Sequence, residues 1–259
     1  MTPSGYLESH RAHDCKFLLK RWRAVARAAG LEMRPIFQQT PEHTVFAVKS
    51  KSLAKADGIY LSAGIHGDEP AATEALIFWA EQNVKRLAQL PLLIFPCLNP
   101  WGLANNSRVD QDGRDLNRHF HHDEAPLVHA LKQLAKPHRF ALALTLHEDF
   151  DGQGLYIYEV ERAAPFWGQD LLNIARPIIP IEGRTTIDGR RANAGVLRRK
   201  ISAKKFPMLP EAVWLHLHHA QRTFTVETPS EFALDRRVQA HVAIIDECVR
   251  RMSRAILPY

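Results

Sequence analysis

The stretch Gly58-Ile59-Tyr60-Leu61-Ser62-Ala63, followed by Gly64-Ile65-His66-Gly67-Asp68-Glu69 and then Pro70, decides how the chain is read. Its first six residues favour a strand. Pro70 suits the first position of a helix, where its missing N–H costs nothing, and Thr73, Leu76, Ile77 and Ala80 continue that helix. The stretch therefore reads as strand, short turn, helix, with an imidazole and a carboxylate in the turn.

Working outward, Leu92–Leu98 and Phe140–Leu146 are continuous apolar runs of strand length, as expected for strands covered on both faces. Thr44–Val48, Leu155–Tyr158 and Thr223–Val226 read as further short strands. Between Asp14 and Ala29, Phe17, Leu18, Trp22, Val25 and Ala26 recur at helical spacing, and Gly30 stands where a C-cap would end the helix. Asp235–Ile256 carries the same period through Val238, Val242, Ile245 and Val249. The first fifty residues thus yield one helix and one strand. Strands and helices alternate, which predicts an α/β class with a mixed, mostly parallel sheet flanked by helices on both faces. The length of 259 residues suits one domain over 1–259.

Composition excludes several classes. With 46% hydrophobic and 24% charged residues, the chain is neither disordered nor a small disulfide scaffold. The apolar stretches Ala71–Ala80 and Leu90–Leu98 fall short of the roughly 20 residues needed to cross a bilayer, so no membrane span is expected. The charged first thirty residues hold no apolar signal centre, which points to a cytoplasmic protein. Cys15, Cys97 and Cys248 show no metal-like spacing and read as buried thiols. Lys and Arg number 34 against 28 Asp and Glu, a surplus of 6 that favours anionic partners. Part of it lies in Gly189–Pro210, which holds Arg190, Arg191, Arg198, Arg199, Lys200, Lys204 and Lys205 without an acidic residue and reads as a basic loop region.

His66 and Glu69 can converge on one cation if the turn curls. His147, after its own apolar strand, would complete the two-histidine, one-carboxylate set that a hydrolytic zinc uses with a fourth position left to water. Glu227 closes the apolar Phe224-Thr225-Val226, where partial desolvation would raise its pKa towards that of a general base. The segment Asn99-Pro100-Trp101-Gly102, Arg108 and Gly113–Arg118 is glycine-punctuated and rich in guanidinium groups, which suit carboxylate anchoring and oxyanion stabilisation. Arg114, beside Asp112 and Asp115, reads instead as a surface ion pair. The histidines at 119, 121, 122, 216, 218 and 219 have no ligand spacing and read as solvated or core-satisfied.

Taken in order, His66-Gly67-Asp68-Glu69, Asn99-Pro100-Trp101-Gly102, Arg108, Asp115-Leu116-Asn117-Arg118, His147 and Phe224-Thr225-Val226-Glu227 resemble the zinc carboxypeptidase family. The match spans residues 58 to about 230. The resemblance implies that His66, Glu69 and His147 hold one zinc ion. It further implies that Arg108 polarises the scissile carbonyl, Asn117 and Arg118 grip a terminal carboxylate, and Glu227 is the base. Two departures stand out. No tyrosine lies between Tyr158 and Tyr259, where the family's digestive members carry a mobile one, and His147 is followed by Glu148-Asp149, which implies a more acidic rim.

The related aspartoacylase and succinylglutamate desuccinylase group shares the H-x-x-E, D-L-N-R and late-glutamate pattern. The leading expectation is a zinc metallocarboxypeptidase and the alternative an N-acyl amino acid deacylase, each acting on a peptide or N-acyl amino acid with a free carboxylate. A nucleic-acid-binding reading accounts for the arginines but leaves His66, Glu69, His147 and Glu227 unexplained, and no nucleic-acid signature accompanies it.

Overall fold

The computed structural model describes residues 11–54, 57–121, 125–161, 164–198, 201 and 208–256. Helix α1 (Cys15–Ala29) is opened by Asp14, whose carboxylate accepts from the Phe17 N–H at 2.9 Å. Gly30, at φ +65°, ends it. There follow β1 (Glu32–Thr40), β2 (His43–Lys49), β3 (Gly58–Ala63), α2 (Pro70–Gln82), α3 (Val84–Leu87), β4 (Leu92–Phe95), α4 (Pro100–Asn105), α5 (Pro126–Ala135) and β5 (Phe140–Asp149). The chain continues with β6 (Tyr156–Glu161), α6 (Gly168–Ala175), β7 (Thr186–Ile187), β8 (Arg190–Arg191), β9 (Val196–Arg198), α7 (Glu211–His218), β10 (Ala220–Pro229) and α8 (Leu234–Ile256).

Eight strands form one sheet in the order β1-β2-β4-β3-β5-β10-β6-β9. Its centre, β4-β3-β5-β10, is parallel, while β2 and β6 join it antiparallel on either side. Side chains alternate across the sheet and so build two cores. Ile59, Leu61, Leu142, Leu144, Phe224 and Val226 pack with residues of α1, α2, α6 and α8. Tyr60, Leu93, Phe95, Phe140 and Ala143 pack on the other face with residues of α5 and α7. Helices therefore cover both faces, as expected. Full burial of each of the larger apolar side chains contributes roughly 1.5–3 kcal/mol.

The structure departs from the sequence reading in four places. The first fifty residues hold a second strand, β1. It lies at the sheet edge, where Glu32, Arg34 and Pro35 are exposed, so no buried-strand pattern marks it. Helices α3 to α7 go beyond the sequence reading; they are short, of 4, 6, 10, 8 and 8 residues. Strand β5 runs on to Asp149, so His147 lies within it, whereas His66 lies in the turn beyond β3. The basic stretch is only partly loop, since β8 and β9 fall in it; Arg199, Lys200, Lys204 and Lys205 lie outside the described residues, as does His122. Among the described residues no helix is long and apolar enough to cross a membrane.

Candidate active site

The turn that carries the first two site residues is shaped by close backbone approach. Gly64 has φ +64°, and a Cβ there would come within 2.6 Å of Thr73. A Cβ on Gly67 would fall 1.9 Å from the Gly102 backbone, so the turn and the start of α4 require glycine at their contact. Asn99 caps α4 by accepting from the Gly102 N–H at 2.9 Å and donates to the Val109 carbonyl at 3.0 Å. That second bond ties down the loop carrying Arg108.

Folded in this way, His66, Glu69 and His147 bring their ligand atoms within 4.8 Å of one another, all three buried. His66 Nδ1 lies 2.6 Å from one Glu69 oxygen and His147 Nδ1 lies 3.0 Å from the other. His66 Nε2 faces Asp115 Oδ1 at 3.2 Å. A carboxylate buried between two imidazoles fits a divalent cation, which would replace the protons now shared there. Asp115 would then fix the His66 ring from behind. Burial works against charge on both partners, yet Glu69 and Asp115 raise the His66 pKa, and His66 and His147 hold the Glu69 carboxyl below its usual range.

Glu227 is the register partner of His147 on the adjoining parallel strand, so their side chains share a face. Both line a cavity of about 560 Å³ together with Arg108, Asn117 and Arg118. Burial raises the Glu227 pKa; His147 opposes the rise, and Glu69 and Asp149 add to it. Arg108 reaches Asp115 at 3.1 Å and Glu69 at 3.6 Å. Asn117 spends its carbonyl oxygen accepting from the Glu211 N–H at 2.9 Å, which turns its NH₂ end into the group free to meet an anion. The seven residues singled out from sequence thus converge on one cavity.

Other expectations need correction. The acidic rim expected from Glu148-Asp149 is found only in part: both residues line the cavity, but the Glu148 carboxylate is buried and paired with Arg237. Asp149 accepts from the Tyr156 hydroxyl at 3.0 Å. Tyr156 and Tyr158, which the sequence marks only as part of a short strand, both line the cavity, with Asp188 and Arg190 of the β7–β8 hairpin beside them. The signal was available: Tyr156 and Tyr158 are two apart on one strand and pair in register with Glu227 and Thr225. Asp115 was visible in the D-L-N-R motif but assigned nothing. Arg114 makes the expected surface pair, 2.5 Å from Asp112. His219 packs tilted against Trp214 with ring centres 4.6 Å apart, a packed rather than ligating histidine.

The architecture is an α/β fold shared with solved structures described as metallopeptidases and metallo-carboxypeptidases. Residues 55–166 match the model of the succinylglutamate desuccinylase/aspartoacylase catalytic domain, in line with the resemblance read from the sequence. That span contains every expected site residue except Glu227. Candidate metallopeptidases from Shewanella denitrificans OS217 and Shewanella amazonensis SB2B share the fold, with TM-scores of 0.80 and 0.79 and identities of 20% and 22%. The first alignment covers 93% of this chain and 91% of the other, the second 96% and 95%. A metallo-carboxypeptidase from Pseudomonas aeruginosa, in complex with (2-guanidinoethylmercapto)succinic acid, aligns with a TM-score of 0.63 at 17% identity, over 90% of this chain and 68% of that one. No curated protein sequence matches the chain. Family match and fold together support a hydrolase.

Proposed function

We propose that the protein is a zinc-dependent metallocarboxypeptidase that hydrolyses a C-terminal peptide or amide bond. The observation that carries this reading is the buried His66, Glu69 and His147 donor set with Glu227 beside it in strand register. A zinc ion held by those three residues would supply Lewis-acid charge and a more acidic water. Glu227, raised by burial, takes the proton from the attacking water and returns it to the leaving amine. Arg108, at the mouth of the donor set, hydrogen-bonds the developing oxyanion. Arg118 and the NH₂ of Asn117 hold the substrate's free carboxylate, which fixes the scissile carbonyl beside the base.

A second reading, an N-acyl amino acid deacylase, is favoured by the family match over residues 55–166. It uses the same residues in the same roles and differs only in what acylates the nitrogen of the carboxylate-bearing amino acid, a simple acyl group instead of a peptide. The test is turnover by zinc-reconstituted protein of a peptide with a free C-terminus, the same peptide amidated, and a series of N-acyl amino acids. Release of the terminal residue from the free peptide alone supports the carboxypeptidase. Turnover confined to N-acyl amino acids supports the deacylase, and no turnover of either class by zinc-loaded protein rejects both.

A further inference from the structure

Glu69 stands at the N-cap position of α2, where an acidic side chain ordinarily accepts from the helix's own first N–H groups. It makes no such bond, because its two oxygens face His66 and His147. The first turn of α2 is nonetheless capped, from a different strand. Glu148 Oε1 accepts from the Ala71 N–H at 2.6 Å. Its other oxygen accepts from Arg237 of α8, and the Glu148 side chain has no exposed surface.

The pleat explains how one residue can do this. His147 points to the cavity face, so Glu148, next along β5, points to the opposite face, where α2 and α8 pack. The same holds one strand over: Thr228, next after Glu227, is the register partner of Glu148, and its hydroxyl lies 3.0 Å from His241 Nε2. Arg237 and His241 are one turn apart on α8. A single helix therefore grips the residue behind each of two functional strand ends, and through Glu148 it also grips the helix start that follows Glu69.

We propose that Glu148 and Arg237 are a positioning pair that holds the Glu69 and His147 donors in one fixed geometry from behind the sheet. The inference rests on the metal-site reading for its consequence but not for its geometry. Arg237 supplies the charge that a fully buried carboxylate needs, and Glu148 frees Glu69 from capping so that both its oxygens remain available to the site. The Glu148 carboxylate is turned to Ala71 and Arg237 rather than into the cavity that Glu148 lines.

The experiment compares wild type, the double variant Glu148→Ala/Arg237→Met, and Ile245→Ala, which opens the core under α8 without touching the pair. Removing both charges together leaves no unpaired ion buried. Two readouts are taken: the affinity and visible absorption spectrum of bound cobalt(II), and hydrogen exchange of the Ala71 amide in metal-free protein. The double variant is expected to bind cobalt at least tenfold more weakly with a changed spectrum, and to exchange the Ala71 amide at least tenfold faster. Ile245→Ala should keep the wild-type spectrum and Ala71 protection even if it lowers the melting temperature more. A double variant with the spectrum, affinity and Ala71 exchange of Ile245→Ala overturns the proposal. Should wild type take up no cobalt, the metal reading fails, while the exchange measurement still decides whether the pair positions the residues after Glu69.

Discussion

The two walls of the cavity are built differently. On the side of β3, α2 and β5, each polar group answers another: Glu69 faces two imidazoles, Asp115 meets both His66 and Arg108, and the histidines and Glu69 are buried. On the side of β6 and the β7–β8 turn, the groups belong to a strand flanked on its outer side only by the three-residue edge strand β9 and to a hairpin of two-residue strands. There Tyr158 donates to Asp188 at 2.5 Å, and Arg190 is exposed. The first wall rests on central parallel strands and a helix start, the second on a tight turn. Chemistry demands fixed geometry and choice of substrate tolerates adjustment, so a division of labour follows from what each wall is made of.

If that division holds, substitutions should fall off in effect from the first wall to the second. Removing a donor comes first: metal content measured on purified His66→Ala and His147→Ala should drop to background, and near-full occupancy in both would erase the distinction between the walls. Glu227→Gln should keep its metal yet lose roughly 10²–10⁴ in turnover, because an amide cannot take the water's proton. Full activity would mean another base. Arg108→Ala should cost about 10²–10³ in kcat through the lost oxyanion contact. Asp115→Ala, which leaves every proposed ligand in place, should weaken metal binding by about 10–100-fold in chelator competition.

The second wall supplies the smallest effect. Arg190→Ala should raise KM for a substrate with an acidic terminal side chain by up to about fivefold, leave a neutral one unchanged, and lose that difference as salt is raised. Arg198 serves as a comparison, since its guanidinium is already spent on Glu159 at 2.5 Å and over the Phe166 ring. Equal KM shifts in Arg190→Ala and Arg198→Ala would show that the basic stretch acts through general charge rather than through its place in the cavity.

The first wall was legible in the sequence and the second was not. Apolar runs mark the central strands because those strands are buried on both faces, and the polar residues that interrupt or follow them, His147 and Glu227, stand out for that reason. His66 and Glu69 share a short turn, so their meeting is a local matter. Arg108, Asn117 and Arg118 sit in a loop with no periodicity, and only the resemblance gave them roles. Tyr156 and Tyr158 look like core residues because an alternating strand does not say which face opens on a cavity. Glu148 read as rim because its partner Arg237 lies 89 residues away, a distance no local pattern bridges.

The parallel centre of the sheet also governs when the site can exist. Glu69 and His147 are 78 residues apart and the Thr145–Thr225 contact spans 80, so the pairings of β5 with β3 and β10 close long loops. Contacts of such separation form slowly, after local helices. A chain emerging from the ribosome completes β5 well before β10 is made, and through that interval the edge that β10 will cover stands open, with Leu142, Leu144 and Leu146 beside it. The proposed donors thus lie on or beside strands whose pairing waits for parts of the chain made later.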